Sequence, residues 1–230
     1  MAISSENAAA RLRKIPTATI YDVMDKMGYP NQALAAAIRP IVAGWRIAGP
    51  ALTMQGSSTA SFDGKRGSAM SYEMFRAIQP GQIIVFDTRG HNIGGPWGGN
   101  TGANAKVKGA AGIIIDGGTR DYSDLVEMQF PTFCRFVTPV LSHGRFSIES
   151  FNQPISMTGQ AAERVQVNPS DFVSADDDGV VIVPRSLLED VLSHSEVADK
   201  AEREMRAAIE SGEDRESVNK RINRWPGIMP

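Results

Sequence analysis

The amino-acid sequence predicts an α/β fold with a long C-terminal helix, and three observations carry that expectation. Short apolar runs recur at Ile47–Met54, Ile83–Phe86, Ile113–Ile115, Val137–Leu141 and Val180–Val183, each bounded by Gly, Pro, Asp or Asn. Segments of helical periodicity lie between and before them. A single amphipathic stretch follows the last run. There is no internal repeat and no Gly/Ser-rich linker, so residues 1–230 are expected to form a single domain.

Residues 1–37 read as helical. Ile15-Pro16-Thr17 opens a segment in which Ile20, Val23, Met24 and Met27 recur at helical spacing until Gly28. Thr17 is expected to cap that helix, with Ile20 buried behind it. Residues 38–185 form the expected α/β core, with helices near Ser68–Ile78 and Thr101–Lys108 between the apolar runs. Residues 186–211 read as one helix carrying Leu187, Leu188, Val191, Ala198, Ala201, Met205 and Ile209 along one face. That face covers either the chain's own sheet or a partner subunit. Residues 212–230, with Pro226 and Pro230, read as an extended tail.

Composition narrows the function classes. The 230 residues are 42% hydrophobic and 22% charged, as in ordinary globular proteins. A formal net charge of −2 leaves no electrostatic footprint for nucleic acid or for an anionic membrane surface. Cys134 is the one cysteine, so no internal disulfide can form, which suits a reducing compartment. The first residues lack the apolar core of a signal peptide, and no stretch approaches the roughly 18 apolar residues of a membrane span. A cytoplasmic protein is expected.

The chemistry-bearing stretch runs from Gly94-Gly-Pro-Trp-Gly-Gly-Asn100-Thr-Gly to Gly112-Ile-Ile-Ile-Asp116-Gly-Gly-Thr-Arg120-Asp121. It reads as strand, glycine loop, helix, strand. In such a βαβ unit the helix N-terminus lies at the same end as the carboxyl end of the second strand, where open α/β sheets bind ligands. Glycines at 98 and 99 let backbone approach a ligand, and the N–H groups of Gly99, Asn100 and Thr101 are expected to face an anion. Arg120 suits a carboxylate through two parallel hydrogen bonds, and Asp121 offers hard oxygens suited to Mg²⁺ or Mn²⁺. The same residues also read as structure alone: Asp121 as the N-cap of a helix over Tyr122–Met128 with Asp124 in its first turn, Arg120 on the surface, Gly117-Gly118 as a turn.

The glycine loop is neither a Walker motif nor a dinucleotide fingerprint. Asp176-Asp-Asp-Gly179 reads as a tight turn into a strand. His91, His143 and His194 lack metal-ligand spacing. His91 flanks the glycine loop within reach of a substrate, and Cys134 reads as packed rather than nucleophilic.

Taken together, Pro16-Thr-Ala-Thr-Ile-Tyr-Asp22-Val-Met-Asp-Lys-Met-Gly28, Ile38-Arg-Pro40, Gly49-Pro-Ala-Leu-Thr53, Gly112–Asp121 and Ala175-Asp-Asp-Asp-Gly-Val-Val181 resemble the RraA-like family over about residues 14–212. That family includes 4-hydroxy-4-methyl-2-oxoglutarate aldolases and the regulator of ribonuclease E activity. The resemblance implies a compact α/β/β/α swivelling-domain fold, assembled as trimers or hexamers with sites between subunits. It implies that Arg120 binds and polarises pyruvate and that Asp121 binds Mg²⁺ or Mn²⁺. It also implies an acidic residue twenty-one positions before the arginine, where this chain has Gly99. An acid restored at 99 is therefore expected to tighten metal binding. A glutamate from a neighbour's C-terminal helix is implied too; Glu202 is the best match and Glu204 its rival.

Two functions follow from these residues. One is a metal-dependent lyase that cleaves a small 2-oxo acid, by retro-aldol cleavage or oxaloacetate decarboxylation. The other is a non-catalytic regulator that binds a partner protein such as a ribonuclease. No S-adenosylmethionine-binding pattern supports a methyltransferase.

Overall fold

The computed structural model describes residues 3–59 and 64–228, with residues 64–69 described by their backbone alone. Seven α-helices occur among them: α1 (Ser5–Leu12), α2 (Thr17–Lys26), α3 (Gly64–Ala77), α4 (Gly99–Val107), α5 (Tyr122–Glu127), α6 (Leu188–Glu210), led in by a 3-10 turn at Arg185–Leu187, and α7 (Arg215–Arg221). The strands are β1 (Arg39–Pro40), β2 (Ile47–Ser58), β3 (Ile83–Asp87), β4 (Gly112–Asp116), β5 (Gly118–Thr119), β6 (Thr132–Cys134), β7 (Phe136–Val137), β8 (Phe146–Phe151), β9 (Ile155–Thr158), β10 (Arg164–Val167), β11 (Phe172–Asp176) and β12 (Gly179–Val183).

The main sheet runs β1-β6-β4-β3-β2-β11-β12, with β8 added alongside β2. Strands β2, β3, β4 and β6 are parallel neighbours, as expected where helices serve as crossovers. Strands β3, β4 and β12 are buried along their whole length, which explains why the sequence shows continuous apolar runs there instead of alternation. Ile83, Val85, Ile114, Val173, Ala175, Val180 and Ile182 point inward, and the β9–β10 hairpin adds Ile155, Met157, Val165 and Val167 to that inner core. Arg39 of β1 donates to the Asp177 carbonyl in the β11–β12 turn, so the two edge strands approach and the sheet nearly closes.

Two helical groups cover the outer face. Residues from α3 and α4 pack on Leu52, Ile84, Phe86, Ile113 and Ile115. Residues from α1, α2 and α6 pack on Ala48, Phe172, Val181 and Val183. A section across the nearly closed sheet thus reads helix, strand, strand, helix, as the fold resemblance implied. Helix α6 uses Leu188, Val191, Leu192, Ala198 and Ala201 against its own chain, while Val197 and Ile209 stay exposed. No helix among the described residues is long and apolar enough to cross a membrane.

Three local expectations are corrected. Thr17 does not cap α2: Pro16 holds the N-cap position, and the Asp176 carboxylate accepts from both the Thr17 backbone N–H (3.0 Å) and the Thr17 hydroxyl. A buried acid from β11 thereby satisfies a helix-start donor across 159 residues of sequence. The run Val137–Leu141 is not a continuous strand. Pro139 removes a ladder donor, and Val137, Val140 and Leu141 are exposed. The segment after α6 is not simply extended, because Asp214 caps α7 through the Ser217 N–H and Val218 is fully buried. Met1, Met229 and Pro230 lie outside the described residues.

Asp176 also accepts from Asp178 N–H in the β11–β12 turn and pairs with Arg46 at 3.3 Å. Asp176→Ala is expected to cost about 2–4 kcal/mol by leaving buried donors unpaired, read as a lower urea midpoint at unchanged slope. A loss below about 0.5 kcal/mol, the range of neutral surface changes, would show that the carboxylate does not tie α2 to the sheet.

Candidate functional site

The glycine loop and residues 117–121 are built against each other. The parallel register of β3 and β4 sets Asp87 beside Asp116 at the carboxyl end, both buried. The Thr88 hydroxyl donates to the Asp116 carbonyl at 2.6 Å. Trp97 then pairs with Thr119 in a parallel bridge: Arg120 N–H donates to the Trp97 carbonyl at 2.9 Å, and the Thr119 hydroxyl to the same oxygen at 3.1 Å. A Cβ at position 95 would lie 2.8 Å from the Arg120 nitrogen, so glycine is what lets the two segments run in contact.

This contact delivers Arg120 and Asp121 to the start of α4. Asp121 adopts the left-handed conformation (φ 55°, ψ 47°), a backbone state that Asp tolerates better than most residues. Its Oδ2 accepts from the Gly99 N–H at 3.0 Å, and its Oδ1 accepts from Arg120 Nε at 3.0 Å. Burial pushes the Asp121 carboxyl up, but the Gly99 N–H and the Arg120 guanidinium outweigh it and hold the group below the usual carboxylate range. Asp121 is therefore an anion at neutral pH. The terminal nitrogens of Arg120 have no partner among the described residues, which leaves its fork available to a carboxylate.

The structure brings Gly98, Gly99, Arg120 and Asp121 together as expected from the sequence, with a different division of labour. The Gly99 N–H does not wait for an external anion, because Asp121 already receives it. Asp121 holds the N-cap position of α5 but makes no side-chain cap bond there; its carboxylate serves α4 instead. Thr101 is turned back on the loop, accepting from Gly98 N–H at 2.8 Å and donating to the Gly98 carbonyl at 2.7 Å. Asn100 lines a cleft of about 430 Å³ with Gly99, Ala103, Asp124, Glu127 and Met128.

Asp124 is the residue that sequence reasoning placed only as a first-turn acid. A Cβ at position 99 would lie 2.6 Å from Asp124 Oδ2, so Asp124 already fills the space of a side chain at 99. Gly99 has no left-handed backbone. Contact with the Asp124 side chain, not backbone strain, is therefore what a side chain at 99 would meet, and Asp124 has to turn aside for an acid placed there. The one sequence signal for Asp124 was its spacing, three residues after Asp121 at the start of a helix, which puts both on one side of the turn.

Other candidates separate from this site. Glu202 lies on α6, accepts from the Thr19 hydroxyl at 3.0 Å and stands 3.6 Å from Arg224, within the α1/α2/α6 layer and not the α3/α4 layer. Glu204 faces Arg221 at 3.4 Å. His91 is buried, with its Nε2 accepting from Gly94 N–H and its Nδ1 toward Ser58 Oγ at 2.7 Å, so it braces the loop. Cys134 is buried, and burial pushes its thiol up to about 12, which removes it as a nucleophile.

Among the described residues no group of three His, Cys, Asp or Glu side chains stands ready to hold a metal. The described residues thus form no closed zinc-type cage. They are compatible with Mg²⁺ or Mn²⁺, which take one or two carboxylates and fill the remaining positions with water and substrate oxygens. Asp121 and Asp124 are pressed against adjacent glycines of that loop, Asp121 Oδ2 against Gly98 and Asp124 Oδ2 against Gly99.

Comparison with known proteins bears on family and fold. A family described as RraA-like (Aldolase/RraA) matches residues 17–182. A protein of Halalkalibacterium halodurans, provisionally named 4-hydroxy-4-methyl-2-oxoglutarate aldolase, is 34% identical over 79% of each chain. Streptomyces coelicolor RraAS2, described as an unusual member of the RNase ES inhibitor RraA family, superposes with a TM-score of 0.75 at 26% identity, covering 90% of this chain and 98% of that one. A crystal structure described as one of novel cellulases from gut-associated microbes superposes with a TM-score of 0.82 at 28% identity over 89% of each chain.

A Cβ at position 98 would sit 2.6 Å from Asp121 Oδ2 and 2.8 Å from Arg120 Cγ. Gly98→Ala is expected to push both side chains away and cost about 1–3 kcal/mol of stability, as overpacking does. Thermal unfolding checks it: an unchanged midpoint would mean that the loop does not pass this close to Arg120 and Asp121.

Proposed function

The chain belongs to the RraA-like family, and from that membership we propose that it is a divalent-metal-dependent lyase acting on a small 2-oxo acid through Arg120, Asp121 and Asp124. The observation that carries the reading is the contact of Gly98 and Gly99 with Asp121, Arg120 and Asp124, which leaves one guanidinium fork and two carboxylates around one loop. The lyase class is supported by the aldolase name of the Halalkalibacterium halodurans relative.

In this proposal Arg120 binds the substrate carboxylate through its outer nitrogens and fixes the 2-oxo group beside the two acids. Asp121 and Asp124 hold Mg²⁺ or Mn²⁺, which when bound supplies a Lewis acid for the keto oxygen. Arg120 also balances the negative charge that develops on the pyruvate portion as the carbon–carbon bond breaks. Bond cleavage then takes one of two forms, retro-aldol release of a carbonyl compound from a 4-hydroxy-2-oxo acid or loss of carbon dioxide from oxaloacetate. Glu202 is proposed to reach the site of a neighbouring subunit in a homotrimer or homohexamer, since within its own chain it belongs to a different helical layer. A second reading, a non-catalytic regulator that binds a ribonuclease, is favoured by the likeness to RraAS2.

Oxaloacetate decarboxylation and 4-hydroxy-2-oxo acid cleavage are expected to need Mg²⁺ or Mn²⁺ and to stop on exhaustive chelation. Arg120→Lys removes the two-pronged contact and is expected to lose about 2–4 kcal/mol of transition-state stabilisation. Asp121→Asn keeps an acceptor for Gly99 N–H but loses the charge, so metal affinity falls while the fold persists. Asp124→Asn removes one of the two proposed carboxylate charges and is expected to weaken metal binding about tenfold or more. Turnover that survives chelation and Arg120→Lys would remove the metal and Arg120 from the chemistry, and absence of any turnover on these acids with Mg²⁺ or Mn²⁺ supplied would remove the lyase reading and leave the regulator.

Light scattering tests the assembly separately. A mass of three or six times the 24.8 kDa chain is expected; a monomer at micromolar concentration would exclude a role for Glu202 in trans.

A further inference from the structure

A second cleft lies far along the chain from the glycine loop. Helix α6 ends in two and a half turns whose Met205 and Ile209 are not covered by the sheet, and α7 with the turn after it stands against them. The space between has a volume of about 530 Å³, within the range of small-molecule sites. Its chemistry is one-sided. Arg215, Lys220 and Arg224 line it, and no carboxylate does, although the whole chain is net negative. Trp225 forms a wall, and Met205 and Ile209 an apolar floor.

The three cations are held loosely. Arg215 has no acidic partner among the described residues. Lys220 pairs with Glu216 in solvent, with both side chains three-quarters exposed, an interaction of the kind that contributes little. Arg224 lies over the Trp225 ring at 5.2 Å and 3.6 Å from Glu202. Such groups can turn to an anion without breaking a buried network. The half-buried Trp225 lines the cleft with the Arg224 guanidinium over its ring, a wall that suits a flat ring, and three cations lining one cleft suit a dianion better than a single carboxylate.

We propose that the cleft between the end of α6 and α7 binds a planar aromatic ring carrying a phosphate monoester, a ligand of nucleoside-monophosphate size. Ring stacking on Trp225 and the apolar floor would supply one half of the recognition, and Arg215, Lys220 and Arg224 the other. Neither Arg215 nor Lys220 takes part in the chemistry proposed for Arg120, Asp121 and Asp124, so the two sites are separable.

The full-length protein is titrated with AMP and with phenyl phosphate by calorimetry and by tryptophan fluorescence. Saturable binding is expected, weakening with added salt as screened ion pairs do. Adenosine, benzoate and inorganic phosphate, each lacking half of the recognition, are expected to bind about tenfold more weakly or worse. Arg215→Ala and Lys220→Ala are each expected to weaken AMP about tenfold, the size of one lost charge-assisted hydrogen bond, with lyase turnover unchanged. Trp225→Leu should remove the fluorescence change, and Trp45→Phe should keep it. Absence of saturable binding would overturn the site. So would equal affinity for benzoate, or an affinity untouched by Arg215→Ala and Lys220→Ala but lost in Arg120→Lys, which would assign the anion to the glycine-loop site instead.

Discussion

The arrangement depends on one close approach: the backbone of residues 95–99 running in contact with residues 119–124. Two hydrogen bonds to the Trp97 carbonyl draw the segments together. Positions 95, 98 and 99 admit no Cβ without collision. Everything chemical in the neighbourhood follows from that contact. It presents the Gly99 N–H to Asp121, sets Asp121 against Arg120, and brings Asp124 to the space beside Gly99. The left-handed backbone of Asp121 is part of the same constraint, since it directs the carboxylate back to α4 and away from its own helix. Strained backbone at a charged residue persists only where surrounding structure over-determines it, and here two hydrogen bonds to that carboxylate do so.

The sheet supplies the rigid frame for this contact. Strands β3 and β4 are buried on both faces and fully apolar until their last residues, where Asp87 and Asp116 appear side by side. These acids are occupied. Asp116 accepts from Thr158 N–H and pairs with Arg135, while Asp87 accepts from Gln55 and Arg89 N–H and lies 3.5 Å from Arg164. They fasten the β9–β10 hairpin and the β6–β7 segment to the carboxyl edge of the sheet. The next acid in the chain, Asp121, has one oxygen on Arg120 and the other on a backbone N–H, and its side chain is about one-third exposed. Burial thus separates structural carboxylates from the one open to a ligand.

The two helical layers divide the remaining roles. The α3/α4 layer carries the glycine-loop site, and the α1/α2/α6 layer carries Glu202, Asp22 and the C-terminal cleft. Asp22 holds its proton more tightly than usual, by burial first and then by the neighbouring charge of Glu202, with Arg224 opposing. The C-terminal segment therefore meets α6 at Glu202 through Arg224 and at Glu204 through Arg221.

Much of this was legible in the sequence. Continuous apolar runs marked the central strands, because both of their faces are buried. The order strand, glycine loop, helix, strand placed the loop at the carboxyl edge beside Arg120 and Asp121, because a crossover helix has to run antiparallel to the strands it joins. The Asp-Gly pair at 178–179 marked the tight β11–β12 turn. Tertiary structure decided what depends on partners distant in sequence. Asp121 serves α4 and not α5, because the loop brings a free N–H closer than its own helix does. Thr17 takes a carboxylate from β11 across 159 residues. Asp124 fills the place beside Gly99, since a side chain's direction is set by the helix that carries it and by the backbone that helix faces. Periodicity and local propensity specify which residues are inside; which of two nearby acceptors a donor chooses is a distance, and only the packed chain has distances.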